Sequence, residues 1–321
     1  MTGGGSRAWR AFQVALTLVF VGFAGWYLWR QWTSAGADEY HFEFDLPWLL
    51  AASATVLVAF LLLIETWRQV LIRLGASIGF APAARVWFAS NLGKYVPGKI
   101  WQLSAMTLMI AEYGATVAVA GASAVVMAIA NIATGFAVVL LTSTATVRQL
   151  AGSATAVAAA TFGLVLVLAA APLLARQWNR FATRIGKHQL NVTVPLSAVW
   201  IALAGTALSW MLYGVAFNFF VRSIIGPTNA PWESFITANA AAYLVGYLTL
   251  LPGGIGVREV VLSSILVPLG IATAPQAVVI TVASRLWLTV LEILPSLVAL
   301  VRSRRSSSIA RKRNDASESN E

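Results

Sequence analysis

Two stretches of the chain place basic side chains beside residues that interrupt helices. Residues 91–101 read NLGKYVPGKIW, and residues 250–259 read LLPGGIGVRE. Proline and glycine disfavour a continuous helix, so each stretch predicts a break with a helix restarting after it. The first turn of such a helix has backbone N–H groups without helical partners, and these groups and the helix dipole favour an anion. The nearby lysines and arginine add full positive charge, so both stretches predict binding of a phosphate-like group.

The composition indicates that these stretches belong to an integral membrane protein. Charged residues make up 11% of the 321 residues and the mean hydropathy is +0.76, whereas soluble domains carry about 25% charged residues. The net charge of +10 fits basic cytoplasmic loops that meet anionic lipid headgroups. We find no base-reading motif, so we expect no nucleic-acid partner. The sequence contains no cysteine, which excludes disulfides and thiolate chemistry.

The apolar runs predict an all-α, polytopic bundle with about eight membrane spans. The long apolar runs are at residues 11–29, 47–64, 115–142, 154–175, 195–221, 235–251 and 276–301, with a broken segment at 82–110 and a short apolar stretch at about 258–271. A cleaved signal peptide is the alternative for the first run, although its length and its aromatic far end favour an anchored helix. Residues 176–190 predict a basic amphipathic helix on the inner leaflet. With the N-terminus inside, Arg30, Arg148 and Arg222 remain outside, which predicts a cell-membrane protein with both termini in the cytoplasm.

The two broken stretches suggest an internal repeat. Their prolines, at positions 97 and 252, are separated by close to half the chain, and paired interrupted segments in two halves point to a transporter site. We therefore expect two re-entrant elements, with ordinary Pro-Gly loops as the alternative. The predicted organisation is a cytoplasmic segment at 1–10, one transmembrane domain at 11–301 and a basic, disordered tail at 302–321. The pseudo-repeats within the transmembrane domain are about 11–142 and 154–301.

Charged residues in the last span extend the candidate site. Arg285 and Glu292 are two helical turns apart, so they share one face, and charges inside a span usually face the bundle interior. Glu259 and Glu292 would neutralise Arg258 and Arg285 in the empty site, or meet a cationic headgroup or a coupling proton. Structural ion pairs are the alternative. The candidate lipid-headgroup residues are Lys94, Pro97, Gly98, Lys99, Pro252, Gly253, Gly254, Arg258, Glu259, Arg285 and Glu292.

Together the motifs NLGKYVPGKIW and LPGGIGVRE resemble the flippase-like transmembrane domain of lysylphosphatidylglycerol synthases and its stand-alone relatives. The resemblance extends over about residues 11–301 and implies a helical membrane fold with a role in moving or handling lipids. The synthases carry a large soluble catalytic domain after the membrane domain. This sequence ends about 20 residues after the last predicted span, so we do not expect synthase activity from it.

The sequence therefore predicts a flippase-like transporter for a phosphate-bearing lipid or a lipid-linked precursor. The expected partner is an anionic phospholipid or a polyprenyl-phosphate-linked lipid in the membrane. A membrane-embedded accessory subunit of a separate soluble enzyme, or a transferase component of lipid or lipid-linked sugar modification, remains the alternative. Homo-oligomerisation also stays open.

We expect no enzymatic activity, cofactor or metal. The aspartates at 38, 45 and 315 lie outside the predicted spans, and the sequence has no Asp-x-Asp pair or His-Glu-x-x-His motif. His41, Glu43 and Asp45 alternate, a pattern that more often marks a solvated loop than a metal site. The glycines and lysine of residues 93–99 imitate a P-loop, but Ile100 stands where a P-loop has Ser or Thr.

Overall fold

The computed structural model describes residues 44–91, 100–143, 192–249 and 254–318, together with the helical residues Gly22, Trp26, Trp29 and Arg30. The described part is helical and contains no strand. Its helices are α1 Leu46–Arg73, α2 Phe80–Asn91, α3 Ile100–Ala111, α4 Val117–Thr142, α5 Leu196–Ile225, α6 Trp232–Leu248, α7 Val257–Leu266 and α8 Ala274–Glu318. The predicted all-α, polytopic bundle is confirmed.

Several predictions fall outside the described residues. They concern the span at 11–29 apart from Gly22, Trp26 and Trp29, the span at 154–175, the amphipathic segment at 176–190, and the Pro-Gly breaks themselves. His41 and Glu43 also lie outside. Asp45, the third residue of that alternating set, is the N-cap of α1, where its Oδ1 accepts a hydrogen bond from the Trp48 N–H at 3.3 Å.

Four helical segments are long and apolar enough to cross a membrane. They are Leu46–Arg73, Val117–Thr142, Leu196–Ile225 and Ala274–Ser296. The shortest has 23 residues, about 34 Å of helix at 1.5 Å per residue, which exceeds a hydrocarbon layer of about 30 Å. Large apolar side chains such as Leu61, Trp200 and Leu286 point outward from these segments. Such a surface suits lipid, so the described helices form a membrane bundle.

The helices beside the two breaks are shorter. Helices α2 and α3 have 12 residues each, and α7 has 10, so each extends about 15–18 Å and cannot cross the layer alone. Helix α3 follows α2 across residues 92–99, and the two helices pack against each other. The broken segment at 82–110 therefore contains two short helices, and its re-entrant path stays a prediction.

Helix α7 returns along α6 in the opposite direction. Gly254, just before α7, lies against Gly246 near the end of α6, where a Cβ on Gly246 would stand 3.6 Å from the Gly254 Cα. Arg258 is the second residue of α7, and its Nη2 lies 3.5 Å from the Oδ1 of Asn239, which is earlier in α6. The start of α7 therefore packs against the end of α6, and the re-entrant path predicted for the second half stays a prediction.

Helix α5 is the centre of the bundle, because it packs against α1, α4, α6 and α8. Small residues allow these contacts: a Cβ on Gly205 would stand 2.8 Å from the Thr66 Cβ, and one on Gly214 would stand 2.8 Å from the Ile236 Cα. Close approach through small residues is typical of helix packing in membranes. The positions of α6 and α1, and of the site residues on α6, therefore depend on α5.

Gly214→Ala is expected to destabilise the protein, although alanine favours helix. The new methyl group would collide with Ile236, and overpacking of this kind costs about 1–3 kcal/mol. Gly121→Ala on α4 is the matched control, because a Cβ there meets nothing within 4 Å and the better helix propensity contributes about 0.5–1 kcal/mol. Thermal unfolding in detergent is expected to shift in opposite directions. Equal shifts would show that α5 and α6 can separate at no cost.

The last helix, α8, continues beyond its apolar segment to Glu318. The helix passes through Pro295, and residues 296–318 contain no further proline or glycine. The five arginines and three alanines of this stretch are good helix formers. Nothing in the local sequence therefore forces the helix to end before Glu318.

Candidate functional site

A cavity of about 270 Å³ lies among the helices, and both broken elements contribute to its wall. The first element supplies the end of α2 and one residue of α3, namely Trp87, Ser90, Asn91 and Met106. The second supplies Asn239, Tyr243, Gly246, Tyr247, Gly254 and Arg258. Helices α1, α4, α5 and α8 complete the wall. The two elements thus line the same cavity, as the pairing of the motifs predicts.

The structure brings part of the candidate set to this cavity. The predicted residues that line it are Gly254, Arg258, Arg285 and Glu292. Glu259 lies next to it and contacts Arg285. The remaining candidates are in the two breaks and lie outside the described residues: Lys94, Pro97, Gly98, Lys99, Pro252 and Gly253.

Arg258 projects from the first turn of α7 and has neutral partners. Its guanidinium carbon lies 5.5 Å from the centroid of the Tyr243 ring, a cation–π distance. Its Nη2 donates to Asn239 Oδ1 at 3.5 Å, which is long for a hydrogen bond. Within the described ranges no carboxylate is close enough to Arg258 for an ion pair. Arg258 therefore presents to the cavity a guanidinium that no described carboxylate contacts directly.

Glu259 joins the start of α7 to the middle of α8. Its Oε2 accepts a hydrogen bond from the Gly256 N–H at 2.7 Å, which caps α7. Its Oε1 lies 3.4 Å from Arg285 Nε, and the two side chains are 11% and 20% exposed. Arg285 is at the midpoint of the Ala274–Ser296 span. The sequence left open which arginine Glu259 would meet, and the structure pairs it with Arg285.

Arg285 and Glu292 share the cavity-lining face of α8, as their spacing predicts. Leu288 and Thr289 lie between them on the same wall. The two charged residues are about 10 Å apart along the axis, given 1.5 Å per residue. Helix α8 thus presents a basic and an acidic group to one cavity at two depths.

An aromatic wall was not predicted. Tyr243 and Tyr247 stack with ring centroids 6.0 Å apart, and Trp210 meets Tyr243 edge-on at 5.3 Å. The Trp210 Nε1 donates to the Asn131 backbone oxygen at 3.1 Å, which fixes the indole between α4 and α5. The only sequence feature that pointed to this wall was the i,i+4 spacing of Tyr243 and Tyr247. The same spacing is common on helices that face lipid or a plain core, so it did not single out a cavity.

Glu259→Gln is expected to lower stability by about 1 kcal/mol, the difference between a charged and a neutral hydrogen bond. Glutamine keeps an oxygen for the Gly256 N–H but loses the charge that faces Arg285. In the double variant with Arg285→Gln, part of that loss should return, because no unpaired charge remains. Thermal unfolding of the four proteins measures the coupling. Additive losses would mean that the contact with Arg285 contributes nothing.

The fold and the cavity define a class: a polytopic, helical membrane protein with charged groups at a cavity between interrupted helices. The family model described as the lysylphosphatidylglycerol synthase TM region matches residues 10–296. The chain belongs to this family, and the match includes both broken stretches and every candidate site residue. This confirms the resemblance that the two motifs carry. A comparison with curated proteins gives no match.

Proposed function

We propose that this membrane protein is a flippase-like transporter that moves a phosphate-bearing lipid, or a lipid-linked precursor, between leaflets. One observation carries the proposal: Arg258 faces a cavity between two interrupted helical elements and has neutral partners among the described residues. A charge held inside a membrane bundle is costly and is usually functional. Membership of a family named for a lipid synthase's membrane region supports a role with lipids.

The cavity suits a headgroup attached to an apolar chain. Arg258 can bind a phosphate through two parallel N–H···O bonds, which lysine cannot do. The start of α7 adds the positive end of a helix dipole on the same side. Phe60, Leu63 and Leu288 supply apolar wall, and the low dielectric there strengthens the attraction between guanidinium and phosphate.

The proposal includes a place and a partner. The protein would lie in the cell membrane with both termini in the cytoplasm, as the distribution of basic residues predicts. Its partner would be an anionic phospholipid or a polyprenyl-phosphate-linked lipid. We propose transport without catalysis, so neither a cofactor nor a metal enters the mechanism.

A leaflet-exchange assay tests this function. The purified full chain is reconstituted into liposomes with a trace of a headgroup-intact phospholipid that carries a fluorophore on a short acyl chain. A membrane-impermeant reductant then quenches the outer leaflet. With transport, quenching is expected to pass the level set by the outer leaflet, and Arg258→Gln should abolish the excess. The exposed Arg73, in the last turn of α1, gives the control Arg73→Gln. Quenching that stops at the outer leaflet for every phosphate-bearing lipid tried would contradict transport.

The second candidate is an accessory subunit or a transferase component, because the family description names a synthase. This candidate requires a separate soluble enzyme that binds the membrane protein. Purification in mild detergent distinguishes the two. A stoichiometric enzyme together with absent lipid exchange would favour the accessory role, whereas exchange by the protein alone would favour transport.

A further inference from the structure

We propose that the cavity contains a second subsite, formed by α1, α3 and α4, which binds the hydrocarbon chain of the lipid whose phosphate Arg258 holds. This inference rests on the proposed function and deepens it, because it assigns the apolar part of the same lipid to named residues. The residues of this chain subsite are apolar and line the cavity: Phe60, Leu63, Met106, Ala124, Met127 and Ala128.

The polarity of the cavity wall divides by element. Among the described residues of the wall, the charged ones are Arg258, Arg285 and Glu292, and they belong to α7 and α8. The chain subsite belongs to α1, α3 and α4. On α4 it ends at Asn131, whose backbone oxygen accepts the hydrogen bond from Trp210 Nε1 at 3.1 Å. One cavity therefore has a charged side and an apolar side, and a phospholipid has the same division between headgroup and chain.

Hydroxyl groups on the adjoining walls are bonded within their own helices. On α5, Thr206 Oγ1 donates to the Ala202 backbone oxygen, and Ser209 Oγ donates to the Thr206 backbone oxygen, each at 2.7 Å. On α2, Ser90 Oγ donates to the Trp87 backbone oxygen at 3.1 Å. A hydroxyl proton that is bonded in this way is not offered to a ligand. These walls therefore suit a hydrocarbon chain better than a second polar group.

The side chains of the chain subsite are small or adaptable. Ala124 and Ala128 are one turn apart on α4, and each presents a single methyl group. Met106 and Met127 are unbranched and polarisable, and methionine fills irregular gaps and repacks around different ligands. Such a surface accommodates a flexible chain, and each methylene that it removes from water is stabilising.

Lipid lies on the other side of the same two helices. On α4, Val125 and Ile129 are exposed, and each directly follows one of the two alanines. On α3, Leu108 is 66% exposed, two residues after Met106. Helices α3 and α4 pack against each other, so the wall that they form faces the cavity on one side and the acyl chains of the bilayer on the other. The occupant that these surroundings supply is therefore a hydrocarbon chain.

Ala128→Phe tests the chain subsite by filling it. Val125→Phe is the matched control, because it adds the same ring to the exposed face of the same helix. The ligands are two 1-acyl-glycerophosphomethanols, one acetyl and one octanoyl, which share the phosphodiester and differ in the chain. Binding to the full chain in amphipol is measured by equilibrium dialysis. Partition of each lipid into the amphipol is the same for every variant, so it cancels when variants are compared.

Ala128→Phe is expected to weaken the binding of the octanoyl lipid about tenfold or more. The ring displaces at least two methylenes, and each buried methylene contributes roughly fourfold in affinity, or about 0.8 kcal/mol. Binding of the acetyl lipid should match wild type, and Val125→Phe should change neither affinity. Leu63→Trp fills the subsite from α1 and should give the same selective loss, so the test does not depend on the folding of one variant.

Thermal unfolding shows which variants are folded. In folded variants, equal losses for the acetyl and octanoyl lipids would place the effect at the headgroup and overturn the chain subsite. Unchanged binding of the octanoyl lipid would overturn it as well. In either case the transport function stands if Arg258→Gln still weakens both lipids and wild type still exchanges lipid in liposomes. If neither lipid binds wild type and no lipid is exchanged, the proposed function falls too.

Discussion

Arg258→Gln is expected to weaken the binding of a lipid phosphate roughly ten- to 150-fold, because a charge-assisted hydrogen bond contributes about 1.5–3 kcal/mol. The same substitution should leave the thermal stability unchanged or slightly higher. Arg258 has an amide and an aromatic ring as partners, and glutamine still reaches an amide through its own side chain. The substitution should therefore lower lipid affinity without lowering thermal stability, as is common where a protein holds a charge for function.

The measurement is a titration of wild type and variant with short-chain phosphatidylmethanol, together with thermal unfolding of both proteins without lipid. Arg73→Gln is the control, since Arg73 is exposed at the end of α1. Arg258→Lys adds a sharper comparison, because lysine restores the charge without the bidentate geometry. It should recover part of the affinity. If Arg258→Gln binds the lipid like wild type, Arg258 is not the phosphate ligand. A large loss of stability would instead make Arg258 a structural residue.

The charged part of the site was predictable from the sequence because charges inside apolar runs are costly and few. Arg285 and Glu292 stand in a span, and Arg258 follows a Pro-Gly break, so their types and positions alone marked them. The seven-residue spacing fixed the common face of Arg285 and Glu292 without any tertiary information. Both elements with Pro-Gly breaks were also marked, because a backbone break at membrane depth is tolerated only where protein or a water-filled cavity surrounds it.

The partners of those charges were not predictable. Glu259 is adjacent to Arg258 in sequence, but neighbours in a helix do not face each other, so its contact depends on which helix packs beside α7. That helix is α8, which brings Arg285 to Glu259. Nothing in the local sequence encodes this choice. The same limit applies to Trp210 and Tyr243, whose meeting depends on the approach of α5 and α6.

The order of the helices around α5 was also not predictable from the sequence. Gly205 and Gly214 permit the contacts with α1 and α6, yet the sequence contains 24 glycines, and Gly121 has open space where a Cβ would be. A glycine in an apolar run shows that close packing is possible and does not name the partner. Span positions therefore follow from composition, whereas the neighbours of each span follow from tertiary contacts.

Gly254→Ala is expected to cost about 2–5 kcal/mol of stability, for two reasons that add. The φ of Gly254 is +66°, a left-handed conformation that costs an L-residue about 1–2 kcal/mol. A Cβ would also stand 2.8 Å from the Gly246 carbonyl oxygen and 2.9 Å from the Gly246 Cα. These are backbone atoms that cannot rotate away, so the collision adds about 1–3 kcal/mol.

A substitution at Gly270 distinguishes the backbone strain from the steric collision. Its φ is +67°, nearly that of Gly254, but a Cβ there meets nothing within 4 Å. Gly270→Ala should therefore show the backbone strain alone, about 1–2 kcal/mol, and the difference between the variants in thermal unfolding measures the close approach of α7 to α6. Lipid exchange should fall with Gly254→Ala even in the folded fraction, because Gly254 lines the cavity and its approach to Gly246 sets where Arg258 points. With Gly270→Ala, exchange should persist. Equal effects of the two substitutions would mean that the backbone around Gly254 shifts to accommodate the new methyl group. The contact between Gly254 and Gly246 would then not be what holds Arg258 at the cavity.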